Sequence, residues 1–456
     1  MKPLDYAKAH HEDFLAELKE FLSIPSVSTQ AQHRPDMVKA ATWLQERLLA
    51  AGFSKAEVMP TPGHPVVYAE WLAAGPDAPT VLIYGHYDVQ PAEPFELWRT
   101  PPFEPTVVGD DLFGRGTADD KGQLFIHVKA MEAFKETVGT PPVNVKCLFE
   151  GEEESGSINL DAFIEGHQEL LAADIAVISD SGILGKDIPA IVYALRGLAY
   201  IEVTLTGPAG DLHSGSYGGA VHNPINALCA MIASLQDKNG HITIPGFYDK
   251  VRDLPEEERA ELAKVPFDRE AWLKEAGVPQ EWGEPEYTIN ERVSARPTLD
   301  VNGIWGGYID PGAKTVLPSK ASAKISMRLV ADQDPEEIKN LVMAHLKSIT
   351  PPTMKIAIKE MEGGDAAIVR RDSPAMKAAF NAYAAGFGRE PVFMREGGSI
   401  PVVATFQKVL GIETILMGFG LPDDNLHAPN EKFHLPNFYK GIETIIHFFE
   451  GLREFM

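Results

Sequence analysis

The chain has 456 residues, enough for two domains each with its own core, and 44% of them are apolar, the proportion of an ordinary globular protein. With 65 acidic against 41 basic residues the formal net charge is −24, a field that repels phosphate backbones and anionic headgroups and argues against nucleic acid and membrane surfaces as partners. There are two cysteines, Cys147 and Cys229, both within apolar stretches; they are expected to be buried thiols in a reducing, cytoplasmic setting.

Residues 1–21 carry Phe14, Leu15, Leu18 and Phe21, followed by Leu22, at helical spacing, which predicts an amphipathic helix and lacks the apolar core of a signal peptide. No uninterrupted apolar run approaches the roughly 20 residues needed to span a bilayer. A helix over 37–51, strands over 66–71 and 79–84, a helix over 123–137, a strand over 143–149, a helix over 160–171 and a strand over 175–179 follow. Such alternation predicts an α/β fold with a mixed, mostly parallel sheet covered by helices. Parallel connections place the loops that follow strand carboxyl ends along one edge, where ligands bind.

Near Gly197 the pattern changes. Residues 199–206 alternate as a strand, 223–235 read as a helix, and 245–297 are acidic, punctuated by proline and irregular with short helices. Strands over 320–329 and 354–361 enclose a helix over 335–349. Gly363-Gly364 reads as a hinge, after which a helix over 374–385, a strand over 414–419 and a helix over 437–455 resume the earlier alternation. The simplest organisation is a catalytic α/β domain, residues 1–196 and 364–456, interrupted by an inserted α+β domain, residues 197–363.

Five segments place histidines or acids after apolar runs or in glycine-rich turns. They are Gly85-His86-Tyr87-Asp88, Asp119-Asp120-Lys121-Gly122, Glu152-Glu153-Glu154-Ser155-Gly156-Ser157, Ser179-Asp180 and His427-Ala428-Pro429-Asn430-Glu431. Taken singly, each has an ordinary structural reading: a histidine beside a strand, an N-cap with a dipole-favoured acid, a solvated acidic loop, a strand-terminating aspartate and a surface histidine. Together, His86, Asp119, Glu154, Asp180 and His427 supply two nitrogen and several oxygen ligands without a thiolate. That suits catalytic zinc, manganese or cobalt, and five ligands exceed what one open catalytic zinc needs. Two divalent cations sharing a carboxylate would use them all. On an extended backbone Asp88 points the same way as His86 and can orient its ring. Adjacent glutamates can divide labour, one binding metal and one acting as general base. Glu152 makes a third acid there, so the register of base and ligand rests on alignment to Ser155-Gly156-Ser157.

In order and spacing these segments resemble the motif set of the co-catalytic zinc metallopeptidases, a family that includes carnosinases, cytosolic non-specific dipeptidases, aminoacylases, acetylornithine deacetylases and succinyl-diaminopimelate desuccinylases. The carnosinase and non-specific dipeptidase branch is most similar, through Ala194-Leu195-Arg196-Gly197, Asp211-Leu212-His213-Ser214-Gly215, Ala313-Lys314-Thr315-Val316, Met327-Arg328-Leu329-Val330 and Arg395-Glu396-Gly397-Gly398-Ser399-Ile400-Pro401. The resemblance implies that His86 and Asp180 hold one metal, Glu154 and His427 the other, and that Asp119 bridges them. It also implies Glu153 as general base and Asp88 as the group orienting His86. The inserted domain would be a lid and dimerisation domain of a homodimer, supplying His213 and Thr315 in trans, with His213 polarising the scissile carbonyl. Arg328 and Ser399, with backbone donors around Gly398, would grip the carboxylate of a small peptide substrate. The implied activity is hydrolysis of dipeptides with two divalent metals, zinc first, manganese or cobalt as alternatives; N-acyl-amino-acid deacylation or desuccinylation on the same metals is the alternative activity, and a non-catalytic metal-binding scaffold the rival from another class. Gly397-Gly398-Ser399 lacks the G-x-S-x-G elbow of serine hydrolases, and Gly114-Arg115-Gly116 is no dinucleotide fingerprint because Asp119 and Asp120 would face the phosphates.

Overall fold

The computed structural model describes residues 1–455, apart from the side chain of Glu362; Met456, the last residue of the expected catalytic domain, lies outside them. The chain divides into two compact units: Met1–Tyr193 with Val369–Met394 and Thr405–Met456, and Ala194–Ile368 with Arg395–Ala404. The segment carrying Ser399 thus falls in the second unit.

The first unit is built on a sheet whose strands run in the order Lys55–Met59, Val66–Trp71, Asn144–Glu150, Thr80–His86, Ile175–Ile178, Glu413–Leu416 and Ala190–Leu195. The middle four are mutually parallel, and the flanking pairings are antiparallel. Asn144–Glu150 and Ile175–Ile178 are buried at every position, as parallel strands covered on both faces must be. Helices Arg34–Ala50, Lys121–Thr137, Pro374–Phe387 and Leu435–Phe455 provide the cover. They place Leu44 and Leu48, Phe125 and Val128, Met376 and Tyr383, Ile442 and Ile445 in one core with Val81, Ile83, Val145 and Val177. Burying each such side chain contributes roughly 1.5–3 kcal/mol. Because the four central strands are parallel, His86, Glu150 and Ile178 all mark carboxyl ends at one sheet edge.

Several elements differ in detail from expectation. The amphipathic start is two helices, Pro3–Ala9 and His11–Leu22, separated at His10. The expected helix over 160–171 is interrupted at His167, whose φ of −130° is not helical. The strand expected over 414–419 ends at Leu416; the Met417 amide still donates to Ile178 O at 2.7 Å, after which the chain runs on toward the His427 loop.

The second unit has its own core and a four-stranded antiparallel sheet in the order Thr298–Gly306, Lys320–Leu329, Gly197–Thr206, Lys355–Gly364. Gly197–Thr206 alternates strictly, burying Ala199, Ile201, Val203 and Leu205 against helices Pro224–Ala233 and Pro335–Ile349. The edge strand Thr298–Gly306 contains Asn302-Gly303, a pair that reads as a turn; here the register shifts between Val301 and Gly303, so a bulge absorbs the pair without ending the strand. Cys229 corrects the expectation of two buried thiols. Its helix buries Pro224, Ala227, Leu228 and Met231, one face at i, i+3, i+4 and i+7, which turns Cys229 outward, while Cys147 is buried. Among the described residues no helix is long and apolar enough to cross a membrane.

Candidate metal centre

The parallel strands deliver His86 and Glu150 side by side in register, and the loops following Glu150 and Ile178 carry Glu153, Glu154 and Asp180. The turn ahead of helix Lys121–Thr137 adds Asp119, with a cis peptide to Asp120. This turn is tight: a Cβ on Gly122 would lie 1.9 Å from the carbonyl oxygen of Thr117, so the helix can start there only with glycine at its second position.

Two trios of ligand atoms result, His86 with Asp119 and Asp180, and Asp119 with Glu154 and His427; within each trio the atoms lie within 4.8 Å of one another. Asp119 belongs to both. Its Oδ1 lies 3.0 Å from His86 Nε2 and its Oδ2 2.9 Å from His427 Nε2. Asp180 Oδ2 is 3.8 Å from His86 Nε2, and Glu154 Oε2 is 3.3 Å from His427 Nε2. Gln90 Nε2 donates to Glu154 Oε2 at 2.8 Å. Glu152 is held elsewhere, accepting from the His64 amide at 3.1 Å and from Asn159 Nδ2 at 2.8 Å.

Asp88, fully buried, serves three partners. Its carbonyl oxygen lies 3.1 Å from His86 Nδ1 and its Oδ1 3.4 Å from the same nitrogen. Its carboxylate also accepts from the amides of Glu153, at 3.3 Å, and Glu154, at 3.1 Å. Asp88 therefore holds the ring through its backbone carbonyl, with its carboxylate close by, and holds the loop through its carboxylate.

The protonation pattern reports how much negative charge is gathered. Burial, and then Asp180, Glu154 and Asp119 against the pull of His86, push Glu153 up to about 9. Hydrogen bonds to Asp119 and Glu154 raise His427 to about 10. Asp119 is held well below the usual carboxylate range, burial being outweighed by the hydrogen bonds from His427 and His86. Burial and the charge of Asp180 raise Asp120 well above it. Protons on both imidazoles and on Glu153 thus balance carboxylates that burial makes costly to ionise. Cations would balance them as well. The donor set, two imidazole nitrogens with three carboxylates, a shared aspartate and a His86 ring already fixed through Nδ1, fits a pair of divalent ions.

Residues outside the expected set support this arrangement. Glu431, fully buried four residues after His427, accepts from Arg115 Nη1 at 2.7 Å and Gly116 N at 2.9 Å through Oε2, and from Ala118 N at 3.0 Å and Asp119 N at 3.2 Å through Oε1. It ties the His427 loop to the Asp119 turn. The buried Lys121 Nζ donates to the carbonyls of Ile24 at 2.7 Å and Phe21 at 3.2 Å. Both residues stand inside the motif segments, where an acid or lysine of structural role cannot be told from a functional one by residue type.

His213, Thr315, Arg328, Gly398 and Ser399 all lie in the second unit. His213 sits in the short strand Leu212–His213 paired with Val316–Leu317, and the Ser214 amide donates to Thr315 O at 3.0 Å. The Gly215 amide donates to His213 Nδ1 at 3.1 Å, which leaves Nε2 to carry the proton of the neutral ring. Arg328 Nη1 donates to Ser399 Oγ at 3.1 Å, and Gly398 is exposed beside it in sequence.

The profile of peptidase family M20/M25/M40 matches residues 82–451. A Cys-Gly metallodipeptidase of Schizosaccharomyces pombe is 36% identical over 455 residues, covering 96% of this chain and 95% of its own. The beta-Ala-His dipeptidase of Homo sapiens is 32% identical over 467 residues, covering 98% and 92%. Among solved structures, an M20 family metallo-carboxypeptidase of Sulfolobus solfataricus superposes with a TM-score of 0.85 at 35% identity, covering 97% of this chain and 99% of that one.

Proposed function

The chain belongs to peptidase family M20/M25/M40, and from that membership we propose that it is a metal-dependent dipeptidase hydrolysing dipeptides with a free C-terminal carboxylate. The observation that carries the reading is the pair of trios sharing Asp119. His86 and Asp180 would hold one divalent ion and Glu154 and His427 the other, with Asp119 shared between the two trios. Zinc is the ion assigned, with manganese and cobalt accepting the same donors. Such a pair supplies Lewis acidity to a carbonyl and lowers the pKa of water toward neutrality.

The rest is work for the chain's own side chains. Glu153 takes the proton from the attacking water and returns it to the leaving amine, its loop held by the Asp88 carboxylate. Asp88 keeps His86 in the tautomer that presents Nε2 and holds the Glu153 and Glu154 amides in place. Arg328, the Ser399 hydroxyl and the backbone at Gly398 bind the substrate carboxylate. His213, with Nε2 as donor, stabilises the developing oxyanion, and Thr315 lies next to it in the same small sheet.

His213 and Thr315 act on the site of a second copy in a homodimer. Support comes from the edge strand Thr298–Gly306, which exposes Val301, Ile304 and Trp305, large apolar side chains suited to burial against another chain. Residues 1–196 and 364–456 form the catalytic domain on this reading, and 197–363 the lid. The free cysteines Cys147 and Cys229 support a reducing, cytoplasmic location.

Purified Glu153→Gln with its metals retained should lose about 10²–10⁴ in kcat on dipeptides; near-normal turnover would overturn the assignment. The likeness to a metallo-carboxypeptidase favours a second reading, the same chemistry on longer peptides. A panel of dipeptides, tripeptides, N-acetyl and N-succinyl amino acids separates these, and the dipeptidase relatives give no support to the N-acyl alternative.

A further inference from the structure

Arg196 leads from the strand Ala190–Leu195 into Gly197–Thr206, and its whole backbone unit is engaged with the turn at 397–399. Its amide donates to Gly398 O at 3.1 Å, its Nε donates to Gly397 O at 3.1 Å, and its carbonyl accepts the Ser399 hydroxyl. The antiparallel register sets Arg328 opposite Leu198, one diagonal step from Arg196, and Arg328 Nη1 reaches the same Ser399 hydroxyl. Two guanidiniums therefore converge on one glycine-rich turn. A Cβ on Gly397 would lie 2.9 Å from Arg196 Nη2, so the turn and the guanidinium are in close apposition.

Bracing the turn accounts for Nε and for the backbone bonds. It does not account for Nη1 of Arg196, which is buried with no hydrogen-bond partner among the described residues. Nor does it need a second cation: burial, and then the charge of Arg328, lower Arg196 to about 10, relieved in part by Asp300. A buried donor without an acceptor, beside a like charge, is an arrangement stabilised by an incoming anion.

We propose that Arg196 is a second guanidinium in the receptor for the substrate's C-terminal carboxylate, its Nη1 donating to one carboxylate oxygen while Arg328 and the Ser399 hydroxyl hold the other. This rests on the dipeptidase reading and adds to it a specificity device: paired arginines discriminate a carboxylate from a neutral end more steeply than one arginine does.

The test compares one dipeptide with its C-terminal amide on the metal-loaded enzyme and on Arg196→Gln, Arg196→Lys and Arg328→Gln. The preference for acid over amide, as a ratio of kcat/KM, should fall about tenfold or more in Arg196→Gln and largely through KM for the acid. Arg196→Lys, which retains charge in a similar volume but loses the fork, should fall part of the way and serves where the glutamine variant folds poorly. Equal losses on acid and amide in both Arg196 variants would mean that the residue only braces the turn, and would overturn the inference. A preference unchanged in Arg328→Gln as well would instead remove the carboxylate-gripping role assigned to this turn under the dipeptidase reading.

Discussion

Glu431→Gln is the most direct probe of how the aspartate turn is held. The carboxylate accepts four hydrogen bonds, two on each oxygen, from Arg115 Nη1, Gly116 N, Ala118 N and Asp119 N. A glutamine amide can accept only one of these pairs, and its NH2 then faces two donors. Arg115, about as buried as Glu431 itself, also loses its counter-charge. Breaking a buried ion pair on one side costs about 3–5 kcal/mol. The first unit contains about 270 residues. At about 2.1 cal/mol/K of unfolding entropy per residue, that loss lowers Tm by roughly 5–9 °C. Scanning calorimetry of the metal-loaded protein reads the shift, and elemental analysis reads the second consequence, a reduced metal content, because the Asp119 amide is among the donors. A Tm within about 2 °C of the parent, with unchanged metal content, would refute the view that Glu431 sets the position of Asp119.

His127, buried with its Nε2 2.7 Å from Ser179 Oγ, is lowered by burial to about 3, so the folded state holds it neutral while the unfolded chain protonates it near its ordinary 6.5. Its contribution is fully present above pH 6.5 and is lost as pH falls toward 3, amounting to about 2 kcal/mol by pH 5. In urea melts the gap between parent and His127→Gln should therefore shrink from pH 7 to pH 5; a gap independent of pH would contradict the assignment. Asp88→Ala keeps the backbone carbonyl on His86 Nδ1 but removes the Oδ1 contact to the ring and the acceptors of both glutamate amides, and should lower metal affinity by about 10-fold in a competition titration with a chelator. Unaltered affinity would leave Asp88 without the orienting role.

Much of the fold is legible in the sequence because the central strands are parallel and covered, so they appear as unbroken apolar runs separated by helical periods. The same geometry makes the candidate ligands visible: His86 and Asp180 close such runs, Glu154 stands in the loop just after one, and Asp119 precedes a helix. What cannot be read there is tertiary in origin. Glu431 and Arg115 meet across more than 300 residues of chain, and neither residue's neighbourhood in sequence indicates burial. The strand Thr298–Gly306 is hidden by Asn302-Gly303, whose turn chemistry is overridden by pairing with a long neighbour. Cys229 is apolar in context and exposed in fact; the one polar residue of its helix, Asn226, lies three positions earlier and is the sole cue to the outward face.

Lys121 has a consequence for how small this enzyme could be made. The family profile begins at residue 82, yet the lysine next to the Asp119–Asp120 turn is anchored on the carbonyls of Phe21 and Ile24, and its ammonium lies over the Phe21 ring. A chain trimmed to residues 82–451 would leave the Lys121 ammonium without these acceptors and strip Phe14, Leu18, Phe21 and Leu44 from the core beneath it. The N-terminal helices are thus scaffolding for the site, and the minimal folded fragment extends well upstream of residue 82, where the family profile begins.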